Sequence, residues 1–287
     1  MAPSAELTAL VNKMPDWDKD EDPKKRGDNG KLTGPDWKDA EAVYDDIFKG
    51  GKANVVGVID MIVLVDKGDD FKARYVLNGL GLHSLRSANA QKRSMYVDAL
   101  ASQIGGDRPK PIQAFLIQQL QAFGDKRAVP ALCKCLLDEE LCDPATAAMV
   151  AIREGVAEPF RQALPKAKGK QRLAIVQALG VLGDAASIPA MKEAAADQNV
   201  DVRLVAIWGL ANVGDAGSCD LLIKASGADG WERIQATKAC LLLAENLLAK
   251  GNKTGAAKIY GHLSHTRTDK SEEYVRDAAA KGLAAAG

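Results

Sequence analysis

Aromatic residues are scarce in this chain, at 5% of 287 residues, and no net charge remains once 38 Lys and Arg are set against 38 Asp and Glu. With few rings available, the 47% hydrophobic fraction is carried mostly by Ala and Leu, small or straight-chain residues that favour helix over strand. The missing basic excess argues against nucleic acid, because phosphate neutralisation supplies most non-specific affinity for it. No apolar run reaches the roughly 18 residues needed to span a bilayer. Five cysteines (Cys133, Cys135, Cys142, Cys219 and Cys240) cannot all pair, and none forms a Cys-x-x-Cys, which fits a reducing compartment better than a disulfide framework. Met1 to Leu10 lacks a basic region followed by an apolar one, so the expectation is a cytoplasmic protein; an exported form whose signal was removed before Ala2 is the alternative.

Catalytic motifs are missing too. There is no Gly-x-Ser-x-Gly and no zinc-protease motif, Gly50-Gly51-Lys52 lacks the earlier Gly of a phosphate loop, and Gly79-Leu80-Gly81 lacks the third Gly of a dinucleotide fingerprint. Asp16, Asp18, Asp20 and Asp22 alternate like part of a calcium loop, but positions 6 and 12 from Asp16 hold Glu21 and Gly27 instead of Gly and Glu. His262-x-x-His265 has a spacing that suits one helical face, yet lacks enough neighbouring ligands, so it reads as a solvated helix end. Cys133 and Cys135 would lie about 200° apart on a helix and cannot easily share one metal. His83 reads as a cap or surface group just past a glycine stop. Cys219 and Cys240 fall on paired helices and are the first disulfide candidates if the protein is exported. The expectation is therefore no catalytic residue, no metal site and no cofactor.

What is present is periodicity. An Arg is followed eleven residues later by a Gly at Arg172–Gly183, Arg203–Gly214 and Arg276–Gly287, with an apolar helical stripe between. The glycines at 124, 155, 183 and 214 are 31, 28 and 31 residues apart. A period near 30 marks an array of stacked units, each too small to bury its apolar face alone. Val202, Val205, Ala206, Gly209, Leu210 and Val213 advance in steps of 3, 1, 3, 1 and 3, one continuous helical face. Glycine at each helix end supplies a left-handed stop, and Pro130 and Pro189 enter six residues after their glycines, near a helix start where no donor is lost.

Along the chain, residues 1–35 read as an irregular charged arm after a short apolar stripe, with Trp17 as a candidate pin. Helices begin near Asp36. Asn54–Asp66 is a dense apolar run that suits a buried helix or a strand, and Phe71–Gly81 predicts a helix ending on its glycine. Residues 36–123 carry degenerate helical repeats and 124–287 regular ones, one continuous solenoid. Seven helix pairs are expected: 52–81, 88–123, 125–154, 155–182, 184–213, 215–249 and 253–286, with a leading helix near 36–49.

The run Leu179 to Asp184, Pro189, Asp197, Val202-Arg203, Ala206, Leu210 and Gly214 resembles the HEAT-repeat superfamily, especially the short bacterial type also seen in phycobilin lyases. The resemblance covers about 120–287 well and 36–119 loosely. It implies an all-α, right-handed superhelix with second helices lining a concave face. It says little about activity, because the family hosts scaffolds, lyase-like factors, DNA-repair enzymes and a hydroxylase. The hydroxylases use paired His-Glu dipeptides, which this chain lacks.

Two sets of side chains stand out. Arg172, Arg203 and Arg276 share one register; they either form a ladder bonding Asp side chains and backbone carbonyls between repeats, or a basic row for a carboxylate or phosphate partner. Trp208 sits off the main stripe of its helix, where the preceding repeat has Gln177; it is either a binding hot spot or partly buried against Trp231. The expected function is a non-catalytic scaffold holding a protein partner, or another copy of itself, through Arg172, Arg203, Trp208, Trp231 and Arg233 on the second-helix face. The alternatives are a bilin-lyase-like handler of a chromophore or other ligand and, last, a DNA-lesion glycosylase on a HEAT scaffold.

Overall fold

The computed structural model describes residues 3–17, 32–86 and 90–287. Among these the chain is all α apart from one two-residue ladder, β1 (Asp16–Trp17) paired antiparallel with β2 (Leu32–Thr33). Asp18, Asp20, Asp22 and the rest of the charged arm between the two strands lie outside the described residues, as does Ala2. The chain divides into two compact units, residues 1–156 and 157–287.

The first unit opens with α1 (Ala5–Asn12), capped by the Ser4 hydroxyl accepting from the Leu7 N–H at 3.1 Å. α2 (Trp37–Lys49) starts where the Asp36 carboxylate accepts from two exposed N–H groups, a cap worth about 1 kcal/mol. Three helix pairs follow: α3 (Gly51–Asp60) with α4 (Phe71–Arg86), α5 (Ala90–Ala101) with α6 (Lys110–Phe123), and α7 (Val129–Cys133) with α8 (Cys142–Ile152). Second helices stack on second helices, α4 on α6 and α6 on α8, while α3 packs on α5. Leu77, Leu80, Tyr96, Leu100, Leu116 and Leu120 are fully buried between them.

Three expectations change here. The run 54–66 is helical only to Asp60 and then turns; Val55, Val58 and Ile59 are buried, whereas Val65 is almost wholly exposed. α4 does not stop at Gly81 but continues to Arg86. A Cβ at Gly81 would lie 2.3 Å from Phe123 Cδ2, so this glycine exists to let the ring of α6 approach, not to end the helix. His83 consequently lies within the last turn of α4 instead of beyond its end. It bonds Asp45 at 2.6 Å and packs beside Tyr44 and Phe48, rather than capping a helix end.

The second unit repeats one plan: α9 (Ala157–Ala163) with α10 (Gly169–Leu182), α11 (Ile188–Ala194) with α12 (Val200–Val213), α13 (Cys219–Ala225) with α14 (Gly230–Ala249), and α15 (Lys253–Thr266) with α16 (Glu273–Ala286). With the three pairs of the first unit, these make the seven predicted. Gly183 and Gly214 end α10 and α12 in the left-handed conformation, φ 68° and 70°, and each is followed by an Asp that opens a short 3-10 turn into the next helix. Gly124 differs, ending α6 with an ordinary φ of −74°, and Gly155 ends no helix, since α8 stops at Ile152 and Arg153 takes the positive φ there, 63°. The Asp carboxylates also tie repeats together: Asp184 takes Arg161, and Asp215 takes Lys192 at 2.8 Å. α10 packs on α12, α12 on α14, and α14 on α15 and α16. Leu210, Leu222, Leu243, Ile259 and Leu263 are fully buried in one core, each contributing about 1.5–3 kcal/mol by burial. The 20 residues of α14 present apolar groups to α12 on one side and α13 and α15 on others, which explains their near-continuous leucines.

Candidate functional site

The second helices of the 157–287 unit leave a groove of about 730 Å³ on their outer face. α10 contributes Leu173, Gln177 and Val181; α12 contributes Asp201, Leu204, Val205 and Trp208; α14 contributes Trp231, Gln235, Lys238 and Leu242. The spacing explains the lining. Residues at i, i+4 and i+7 or i+8 share one helical face, and 173/177/181, 201/204/205/208 and 231/235/238/242 are such sets. Opposite faces, such as Ile175, Val176 and Leu179 or Ala206 and Leu210, are buried in the core.

Two of the groove's helices, α10 and α12, meet at a pair of glycines. A Cβ on Gly180 would lie 2.8 Å from Gly209 Cα, and one on Gly209 2.9 Å from Gly180 Cα, so α10 and α12 touch backbone to backbone there. The Trp208 ring reaches over the contact, 3.5 Å from the place a Gly180 side chain would start. Two asparagines fix the stacking. Asn212 Nδ2 donates to the Gly180 carbonyl at 2.9 Å, and one repeat later Asn246 Nδ2 donates to the Ala211 carbonyl at 2.8 Å. Such bonds cross from one second helix to the carbonyls of the one before it.

Of the five side chains singled out from sequence, the two tryptophans line the groove together, with Trp208 39% and Trp231 64% exposed. They are two of the four Trp in the chain and stand on successive second helices, α12 and α14. The three arginines take carboxylates in neighbouring repeats. Arg172 Nε meets Asp197 at 2.7 Å; Arg203 grips Glu232 with two bonds of 2.7 and 2.8 Å; Arg233 grips Glu272 with bonds of 2.8 and 2.9 Å. Arg203 also donates to the Asp197 and Gln198 carbonyls at 2.8 and 3.0 Å, and Arg276 to those of Arg267 and Asp269 at 2.7 and 2.9 Å. Each carboxylate is held below its usual range: Glu232 by the Arg203 bonds, Glu272 by the Arg233 bonds, and Asp197 by the Asn199 N–H and then Arg172. Arg267, closing α15, is buried beneath this row and donates to the Ser226 carbonyl at 2.7 Å and the Thr237 hydroxyl at 3.1 Å.

The groove residues beyond the tryptophans were not singled out as contacts. Stepping by four and three from Trp231 would have found Gln235, Lys238 and Leu242. Gln177 was visible as the repeat equivalent of Trp208. Among the described residues, Asp201 and Lys238 are the only charged ones lining the groove, and neither takes an ion pair there.

The chemistry available elsewhere is quiet. None of the five cysteines is in a disulfide, and Cys219 and Cys240 share one core cluster. Burial pushes the Cys240 thiol up to about 12 and that of Cys135 to about 11, so neither is a ready nucleophile. His265 turns its Nδ1 onto the Gly261 carbonyl at 2.7 Å, and burial lowers the pKa of His262. Among the described residues no group of three or more His, Cys, Asp and Glu is placed to hold a metal ion. No helix among them is long and apolar enough to cross a membrane.

Two family models match parts of the sequence. Residues 157–241 match the family model for HEAT repeats, and residues 112–138 match that for the PBS lyase HEAT-like repeat. Among solved structures, the complex of CpcE and CpcF of phycocyanin lyase from Nostoc sp. PCC7120 aligns with 17% identity over 81% of this chain and 94% of that one, at a TM-score of 0.42. Human deoxyhypusine hydroxylase in complex with glycerol aligns with 16% identity over 87% and 97%, at 0.36. No curated protein matches the sequence.

Proposed function

We propose that this chain of HEAT repeats is a non-catalytic scaffold that binds a protein partner through the second-helix face of residues 157–287. One observation carries the reading: Trp208 and Trp231, on consecutive second helices, stand open in the same apolar groove. Leaving two large rings in water forgoes burial worth several kcal/mol, and tryptophans so placed are the commonest anchors of protein interfaces. The arginine row, by contrast, is committed to inter-repeat carboxylates. It stiffens the platform that presents the groove.

The test is a quantitative pull-down with the wild type, Trp208→Ala plus Trp231→Ala, and Leu85→Ala as a control, an exposed leucine of the other unit. Loss of bound protein only in the double variant is expected. Equal recovery with all three proteins defeats the assignment of this face.

A second reading has one observation in its favour. The groove volume lies within the roughly 300–1,000 Å³ of small-molecule sites, so a chromophore or other flat ligand is the alternative occupant. Incubation with bilins should then give visible absorbance that survives gel filtration and disappears in the double tryptophan variant. Absence of any absorbance eliminates that reading.

A further inference from the structure

The groove has a polarity that the tryptophans alone do not reveal. Arg203 and Glu232 are bonded to each other, so residue 203 of α12 and residue 232 of α14 stand near one another along the paired helices. In that register Asp201 lies within one residue of the level of Trp231, and Trp208 within one residue of that of Lys238. Each end of the groove thus holds one indole and one charge that takes no ion pair among the described residues: Trp231 with the Asp201 carboxylate, Trp208 with the Lys238 ammonium. Seven helical residues separate the ends, about 10 Å at 1.5 Å per residue. Between them the lining is Leu204, Val205 and two glutamine side chains, with Leu242 one turn beyond Lys238.

We infer that the occupant is an amphipathic helix bearing a basic residue for the Asp201–Trp231 end and an acidic residue for the Lys238–Trp208 end, two helical turns apart, with an apolar stripe between. This rests on the groove being a partner site and adds what the partner must carry. A carboxylate beside an indole face receives a cation by charge and by cation–π attraction. An ammonium at the other end receives a carboxylate. Residues seven apart on a helix lie on one face about 10 Å from each other, matching the two charges. The arginines of the same three helices are already neutralised within the fold, so Asp201 and Lys238 set the electrostatic signature of the groove.

Three synthetic peptides of about sixteen residues test this, with a common leucine stripe and either Glu and Lys, two Lys, or two Glu at the positions seven apart. Titration calorimetry with the full chain should rank the mixed-charge peptide first, by about two- to five-fold over either like-charged one. Asp201→Lys should shift the preference to the two-Glu peptide, and Lys238→Glu to the two-Lys peptide; a gain of binding in each case cannot come from misfolding. Equal binding of all three peptides that is lost in Trp208→Ala plus Trp231→Ala overturns the polarity but leaves the groove. If no peptide binds, both the polarity and the partner groove are overturned.

Discussion

Replacing Arg203 by alanine separates the two roles an arginine in this register can play. Its guanidinium makes two bonds to Glu232 and one each to the carbonyls of Asp197 and Gln198. Hydrogen bonds to charged groups contribute about 1.5–3 kcal/mol each when buried. Both side chains here are 27% exposed, and solvent screening reduces such pairs towards about 1 kcal/mol. Allowing about 1 kcal/mol for the ion pair and about 0.5–1 for each carbonyl gives a loss of about 2–3 kcal/mol. Glu232→Ala should cost less, about 1 kcal/mol, because Arg203 keeps its carbonyl partners. The pair also has a pH signature. Glu232 is held below the usual glutamate value by Arg203, so its stabilisation is complete above the unfolded glutamate pKa and is lost as pH falls through the lower folded one. Urea denaturation of wild type, Arg203→Ala and Glu232→Ala at neutral pH and again near pH 3 checks both points. A stability change below about 0.5 kcal/mol in Arg203→Ala, together with weakened partner binding, would refute the structural role and make this arginine a contact.

Asn246→Ala should lower stability by about 1 kcal/mol through the lost bond to the Ala211 carbonyl, and Asn212→Ala by a similar amount, both read from urea midpoints. Leu210→Ala removes a fully buried side chain between α12 and its neighbours and should cost about 2–5 kcal/mol on the same measurement. Gly180→Leu should force α10 away from Gly209 and displace the Trp208 ring, changing the tryptophan fluorescence of the folded protein; an unchanged spectrum counts against the backbone contact. Cys240, its thiol pushed up to about 12, should react with a thiol reagent at pH 8 only as fast as the unit opens, whereas half-buried Cys133 reacts first; mass-spectrometric labelling over time gives the order.

Much of the architecture was legible because the repeat writes itself three ways at once. The apolar steps around Val202 to Val213 marked a helical face, Gly183 and Gly214 marked left-handed ends, and Pro130 and Pro189 marked helix starts. Each is a local signal with a local cause, and each occupies its expected place. Gly81 and His83 misled because a glycine inside a helix and one at its end read alike in sequence. Only the approach of Phe123, 42 residues away, distinguishes them. Trp208 could be flagged as off the stripe, but Asp201 and Lys238 are ordinary surface residues until α12 and α14 are laid side by side.

Local physics therefore settled the repeating helices and the ends at Gly183 and Gly214, since propensity, capping and the 3.6-residue period act within a few residues of chain. Tertiary packing alone decided which side chains meet. Whether an arginine is spent on a carboxylate 29 residues away, or two indoles share one groove, depends on the register between stacked helices. That register is set by contacts such as Gly180 on Gly209, which join residues from different repeats and leave no mark on either segment by itself.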